Sequence, residues 1–234
     1  MHDVECGLWI GKNEIEAKFS RICMSTEVTR RRLLQGMGAV ALLLAGDDTC
    51  AEVDSEALGA KTFAAVVKRR AMIRVYKSDP IPEEKIQRLL EYAVRAPSAG
   101  NLQPWEFIVV KSPETRAQLA KAAFDQTWVA SAPVIIATCA DIQRMGSKYG
   151  TRGSFYSLVD TSFASLLILL GAVEQGLGAC FVGAYNPEAV AKLFALPDHV
   201  RPVGLITIGY PAEAPRKPGT PKLPLSKLVH REKW

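Results

Sequence analysis

A hydroxyl and two carboxamides, Ser98, Asn101 and Gln103, stand close together in APSAGNLQPWEF (residues 96–107), flanked by Pro97 and Pro104. Each of these side chains donates and accepts hydrogen bonds while uncharged. Such a set suits the edge of a polar heterocycle better than it suits nucleophilic attack. Cations lie elsewhere, at Arg70 and Arg74 in RRAMIRVY (residues 69–76) and at Lys222 in KLPL (residues 222–225). Arginine and lysine are the side chains that hold a phosphate dianion. Arg70 and Arg74 are four residues apart and share a face if the segment is helical. Amides for a ring edge, cations for a phosphate and apolar residues for a ring face are together what flavin mononucleotide (FMN) needs.

Other chemistries lack their residues. The histidines are His2, His199 and His230, and none stands with a serine or cysteine in a nucleophile motif. There is no Walker A string. GLGAC (residues 176–180) lacks the third glycine of a dinucleotide fingerprint and follows a helix-like stretch instead of a strand. Cys6, Cys23, Cys50, Cys139 and Cys180 show no C-x-x-C, so no metal site is expected, and Cys139 and Cys180 read as buried free thiols. The net charge of +5 is a mild excess without a dense basic stripe, which argues against a nucleic-acid binder.

The elements that position these residues follow from residues 62–234. Thr62 is a candidate N-cap for TFAAVVKRR. IPEEKIQRLLEYAVRA is the clearest amphipathic helix, with Ile86, Leu89, Leu90, Ala93 and Val94 on one face. EFIVVK reads as a strand, SPETRAQLAKAAF as a helix capped by Ser112, and APVIIATCA as a buried strand. Trp105 and Phe107 belong to the core. DIQRMGSKYGTRGSFY (residues 141–156) has three glycines and little period, and reads as a loop or mobile lid. Residues 157–176 form a long helix, apolar on nearly all sides, which belongs in a core or a subunit interface. ACFVGAY is a short strand containing Gly183, NPEAVAKLFAL a helix capped by Asn186, and RPVGLITIGYP the last strand. The Pro-rich basic tail packs as an extended arm. Helices and strands mix without regular β-α-β alternation, so the fold class is α+β.

The N-terminal portion reads differently. Thr29-Arg30-Arg31, then Leu33-Leu34, then an apolar run over residues 36–46, fit a twin-arginine export signal. Residues 1–23 are an expected upstream extension, 24–51 the signal, 52–61 a linker and 62–234 the folded domain. The expected location is extracytoplasmic, the alternative being the cytoplasm.

RRAMIRVY, APSAGNLQPWEF, the stretch from Tyr149 to Tyr185 and the LITIGYP…KLPLSKLVH…W tail together resemble the FMN-dependent nitroreductase family, over roughly residues 62–234. The resemblance implies a central, mainly antiparallel sheet flanked by helices, and a homodimer with the long helix buried between subunits. It implies FMN held by Arg70, Arg74 and Lys222 at the phosphate and ribityl chain, by Pro97, Ser98, Asn101 and Gln103 from the loop, and by Val182 and Gly183 near flavin N5. Asn and Gln of the loop often reach the flavin across the dimer interface in this family. Ala71 and Met72 depart from the family's Arg-Arg-Ser pattern. NADH or NADPH is the implied donor and a nitroaromatic or quinone the implied acceptor, in ping-pong order. Tyr149, Arg152 and Tyr156, with Arg144 and Lys148, set acceptor choice and point to an anionic aromatic. Two alternatives stand beside this reading: an exported flavoprotein with a donor other than a nicotinamide, and a non-catalytic flavin-binding protein.

Overall fold

Four apolar, β-branched-rich runs pair into a single sheet. β1 (Trp105–Val110), β2 (Val134–Asp141), β3 (Gly178–Val182) and β4 (Val200–Gly209) lie in the order β1-β2-β4-β3, every neighbouring pair antiparallel. The computed structural model describes residues 62–212 and 222–234, so the expected extension, signal and linker lie outside the described residues. β2 runs between β1 and β4 and is buried along its length up to Asp141, as a strand with apolar residues on both faces must be. Its alternate residues serve two cores. Val134 and Ile136 pack with Leu89, Ile168 and Ile206, whereas Ile135 and Ala137 pack with Leu119, Val129, Val190 and Leu205.

Helices cover both faces. α1 (Phe63–Arg69) starts at Thr62, whose hydroxyl accepts from the Ala65 N–H at 3.3 Å. α2 (Glu83–Ala93) carries two glutamates in its first turn, where the helix dipole favours them. α3 (Pro113–Ala122) and α7 (Pro187–Leu193) begin at the Ser112 and Asn186 caps with proline at the first position. α6 (Gly153–Glu174) is the central helix. Ser157, Thr161, Ala164, Ile168 and Ala172 on one face are buried, while Phe155, Leu158, Phe163 and Leu166 on another are 43–62% exposed.

Two expectations are corrected, and one condition is not met. Residues 141–156 are not a loop: Asp141 caps α5 (Ile142–Tyr149), a 3-10 turn spans Gly150–Arg152, and α6 has begun by Gly153. The Asp141 carboxylate accepts the Arg144 N–H at 2.8 Å, which offsets the weak helix propensity of Gly146. RRAMIRVY is not helical beyond Arg69. Ile73 donates to the Ala179 carbonyl at 3.0 Å and bridges form at Met72 and Tyr76, because the open edge of β3 offers the segment a partner. Finally, β3 ends at Val182, and Gly183 lies just beyond it. The short helix α4 (Thr127–Ser131) has no counterpart in the sequence reading.

Candidate functional site

The amide loop carries backbone strain. Gly100, Asn101 and Gln103 all have left-handed φ, at 59°, 57° and 49°. For the two non-glycine residues this conformation costs about 1–3 kcal/mol each and persists only where surrounding contacts impose it. Those contacts are present. The Ser98 hydroxyl accepts the Gln103 N–H at 3.0 Å, and the Asn101 N–H donates to the Ser98 carbonyl at 2.9 Å. The Gln103 amide donates to Asn101 Oδ1 at 3.2 Å. Two external anchors hold the ends. Asp160 Oδ2, on α6, accepts the Ala99 N–H at 2.9 Å, and Arg144 Nη1, on α5, donates to the Gln103 carbonyl at 2.6 Å. Arg144 also pairs with Glu106 on β1 and with Asp141 at 3.3 Å. Asn101 and Gln103 remain solvent-exposed, as does Pro97, and Ser98 is half-buried.

A cationic and aromatic patch adjoins the loop. A Cβ at Gly100 would meet Lys148 Nζ at 2.6 Å and the Tyr149 hydroxyl at 2.7 Å, so the end of α5 closes directly over the loop. The Tyr149 and Tyr156 rings meet edge to face at 5.1 Å. Arg152 stands 5.0 Å from the Tyr156 ring centre, and Lys148 stands 5.8 Å from that of Tyr149. Tyr149, Arg152 and Tyr156 are thus brought together with Ser98, Asn101 and Gln103 on one side of the molecule.

The second group lies on other elements. Arg70 caps the end of α1, and its Nη1 is buried with no hydrogen-bond partner. Arg74 lies 5.4 Å from the Trp128 ring centre, stacked as a cation over its face. Val182 is 4% exposed, backbone and side chain together, within the core, while Gly183 is exposed. Lys222 is exposed on the tail. Among the described residues, no hydrogen bond, ion pair or ring contact joins this group to the loop group. Cys139 and Cys180 are buried free thiols as expected; burial pushes the Cys139 thiol up to about 11, so it is not a thiolate nucleophile at neutral pH.

Two residues of this architecture were legible but unread. Asp160 is the one charged residue between Arg152 and Glu174, in a run that is otherwise apolar or small and neutral, and it is 4% exposed. Burial lifts its carboxyl above the ordinary carboxylate range, and the Ala99 hydrogen bond partly opposes this. Gly100, whose φ of 59° favours glycine, is the other.

Comparison with known proteins agrees with this geometry. The nitroreductase family model matches residues 67–133 and 124–210. A protein of Thermus thermophilus named NADH dehydrogenase is 36% identical over 202 residues, covering 74% of this chain and 95% of that one. The FMN reductase [NAD(P)H] of Bacillus subtilis is 30% identical over 176 residues, covering 69% of this chain and 70% of that one. The NADPH:FMN oxidoreductase of Vibrio harveyi, solved in complex with NAD+, superposes with a TM-score of 0.67 at 26% identity, covering 73% of this chain and 77% of that one. The chain belongs to the nitroreductase family, a family of oxidoreductases.

Proposed function

We propose that the protein is an FMN-dependent oxidoreductase that passes electrons from NADH or NADPH to a small acceptor such as a nitroaromatic or quinone, working as a homodimer. The observation that carries this reading is the 98–103 loop, held in a strained conformation by Asp160 and Arg144 with its amides exposed to solvent. The residues fit the cofactor. Arg70 has an orphaned guanidinium nitrogen, and Asn101 and Gln103 offer exposed amide groups. Arg70, Arg74 and Lys222 would hold the phosphate and ribityl chain. Pro97, Ser98, Asn101 and Gln103, with the backbone of Val182 and Gly183, would hold the ring. When bound, FMN supplies the two-electron chemistry between donor and acceptor.

The chain's own residues bind, orient and exclude water; none is asked to act as nucleophile or general base. The two residue groups share no direct contact within the described chain, which is compatible with a dimer in which each flavin draws one group from each copy. Lys148 and Arg152 beside Tyr149 and Tyr156 favour an anionic aromatic acceptor through charge and ring stacking. A second reading rests on Thr29-Arg30-Arg31 and the apolar run after it: export by the twin-arginine machinery with the cofactor already bound, and a donor other than a nicotinamide.

The test is the visible spectrum of the purified full chain, followed without oxygen as NADH and then NADPH is added. Bleaching of a flavin spectrum supports the reductase and identifies its donor. A yellow protein that bleaches with dithionite alone supports the second reading or a binding role. A protein that takes up no FMN overturns the proposal. In the bleached protein, an unchanged preference between anionic and neutral quinones after Lys148→Ala and Arg152→Ala rules out the anionic acceptor class.

A further inference from the structure

The long helix α6 carries one buried charge, and its placement is hard to explain as packing. An ionised carboxylate out of water is costly unless it is well bonded, and a hydrophobic or neutral residue would fill the same space without that cost. Asp160 is 4% exposed, and the bond the structure gives it is from the Ala99 N–H, 61 positions earlier in the chain, at 2.9 Å. Its neighbours on the same helix face, Ser157, Thr161 and Ala164, are also buried. Ala99 immediately precedes Gly100 and Asn101, which have left-handed φ, as does Gln103 after Leu102.

Left-handed Asn101 and Gln103, with Leu102 at φ −82° between them, are not held by local bonds alone, because each relaxes toward ordinary φ when the ends of the loop are free. Arg144 fixes the far end through the Gln103 carbonyl at 2.6 Å. Asp160 fixes the near end. The two anchors come from different helices, and the exposed amides of Asn101 and Gln103 lie between them.

We propose that Asp160 is a positioning residue of the flavin site: by accepting the Ala99 amide it holds residues 98–103 in the conformation that presents Asn101 and Gln103 to the ring. This rests on the function proposed above. Asp160 does not touch the ligand; it acts through the loop. An ordered loop binds more tightly because its ordering entropy is spent in folding and not at binding. The acceptor oxygen matters and the charge does not.

The experiment compares Asp160→Asn, which keeps an acceptor oxygen, with Asp160→Leu, which removes it; Asp160→Ala replaces the leucine variant where that does not fold. Two readouts are taken on the full chain: hydrogen exchange at the Ala99 amide without FMN, and the FMN dissociation constant. The expected result is faster Ala99 exchange and an FMN affinity about tenfold weaker in the leucine or alanine variant, without a lower Tm of the flavin-free protein, since the hydrogen bond that orders the loop is lost. Asp160→Asn restores both readouts to within about threefold of wild type, a difference worth less than one ordinary hydrogen bond. Unchanged exchange at Ala99, or unchanged FMN affinity in the leucine or alanine variant, overturns the assignment, and so does an asparagine variant as impaired as leucine. If the wild-type chain binds no FMN, the proposed function fails separately. The exchange measurement then still decides whether Asp160 holds the loop.

Discussion

Asp160 has a consequence for stability as well as for the loop. Burial raises its folded-state pKa above the ordinary value of 3.8, so the folded protein holds this proton more tightly than the unfolded chain does. Its favourable contribution is therefore complete at low pH and is lost as pH rises from 3.8 through the folded pKa. Asp160→Asn carries no such charge. The Tm of wild type should match that of Asp160→Asn near the bottom of this window and fall progressively below it as pH rises toward neutrality. Thermal melts of both proteins across pH check this, and parallel curves would show that Asp160 does not titrate against folding. Arg70 makes a useful contrast. Its Nη1 is buried and unpartnered, a cost that an incoming anion would relieve, whereas Arg74 is already supported by the face of Trp128.

At the scale of elements, the contact of α5 with α6 decides whether the cationic and aromatic patch exists. The two helices meet at Gly146 and Gly153, where a Cβ on Gly153 would come within 2.6 Å of the Gly146 nitrogen and 2.7 Å of its Cα. These are backbone atoms on a neighbouring helix, so relief needs the helices to part. Gly153→Ala should destabilise the fold by about 1–3 kcal/mol, lowering Tm by roughly 2–12 °C, as overpacking does. Differential scanning calorimetry reads this directly, and a Tm within a degree of wild type would show that α5 yields freely. The same contact explains what the sequence hid. Ile142, Met145, Gly146 and Tyr149 follow helical spacing after the Asp141 cap, but three glycines and a polar majority masked it. The strands, α2 and the Thr62, Ser112 and Asn186 caps were legible because their signals are local and strong. α4 was not, since Thr127–Ser131 is too short to show a period. The loop residues were legible by type, whereas their anchor at Asp160 lies 61 positions from Ala99 and depends on packing that no local pattern shows.

The whole molecule is left with apolar surface that one described chain does not cover. Phe155, Leu158, Phe163 and Leu166 follow one another at intervals of three, five and three along α6 and form a stripe with 43–62% of each residue exposed. An apolar groove of about 320 Å³ between α1, α2 and α6, lined by Phe63, Val66, Tyr92, Leu167 and Leu170, lies on the same helix. A contiguous apolar surface of this kind marks an association face. The loop group and the Arg70 group are also unjoined within the described chain. A second copy meeting α6 would answer both observations together. Leu166→Lys sets an ammonium against that face, where the partner would have to desolvate it without a counter-charge. The expected outcome is a halved mass by light scattering and parallel loss of bound flavin, with the far-ultraviolet circular dichroism of the monomer kept. If the mass halves and flavin stays, the two residue groups do not need a second copy. If the mass does not change, α6 is not the association face. The paired loss is the outcome that ties the apolar stripe to the divided site.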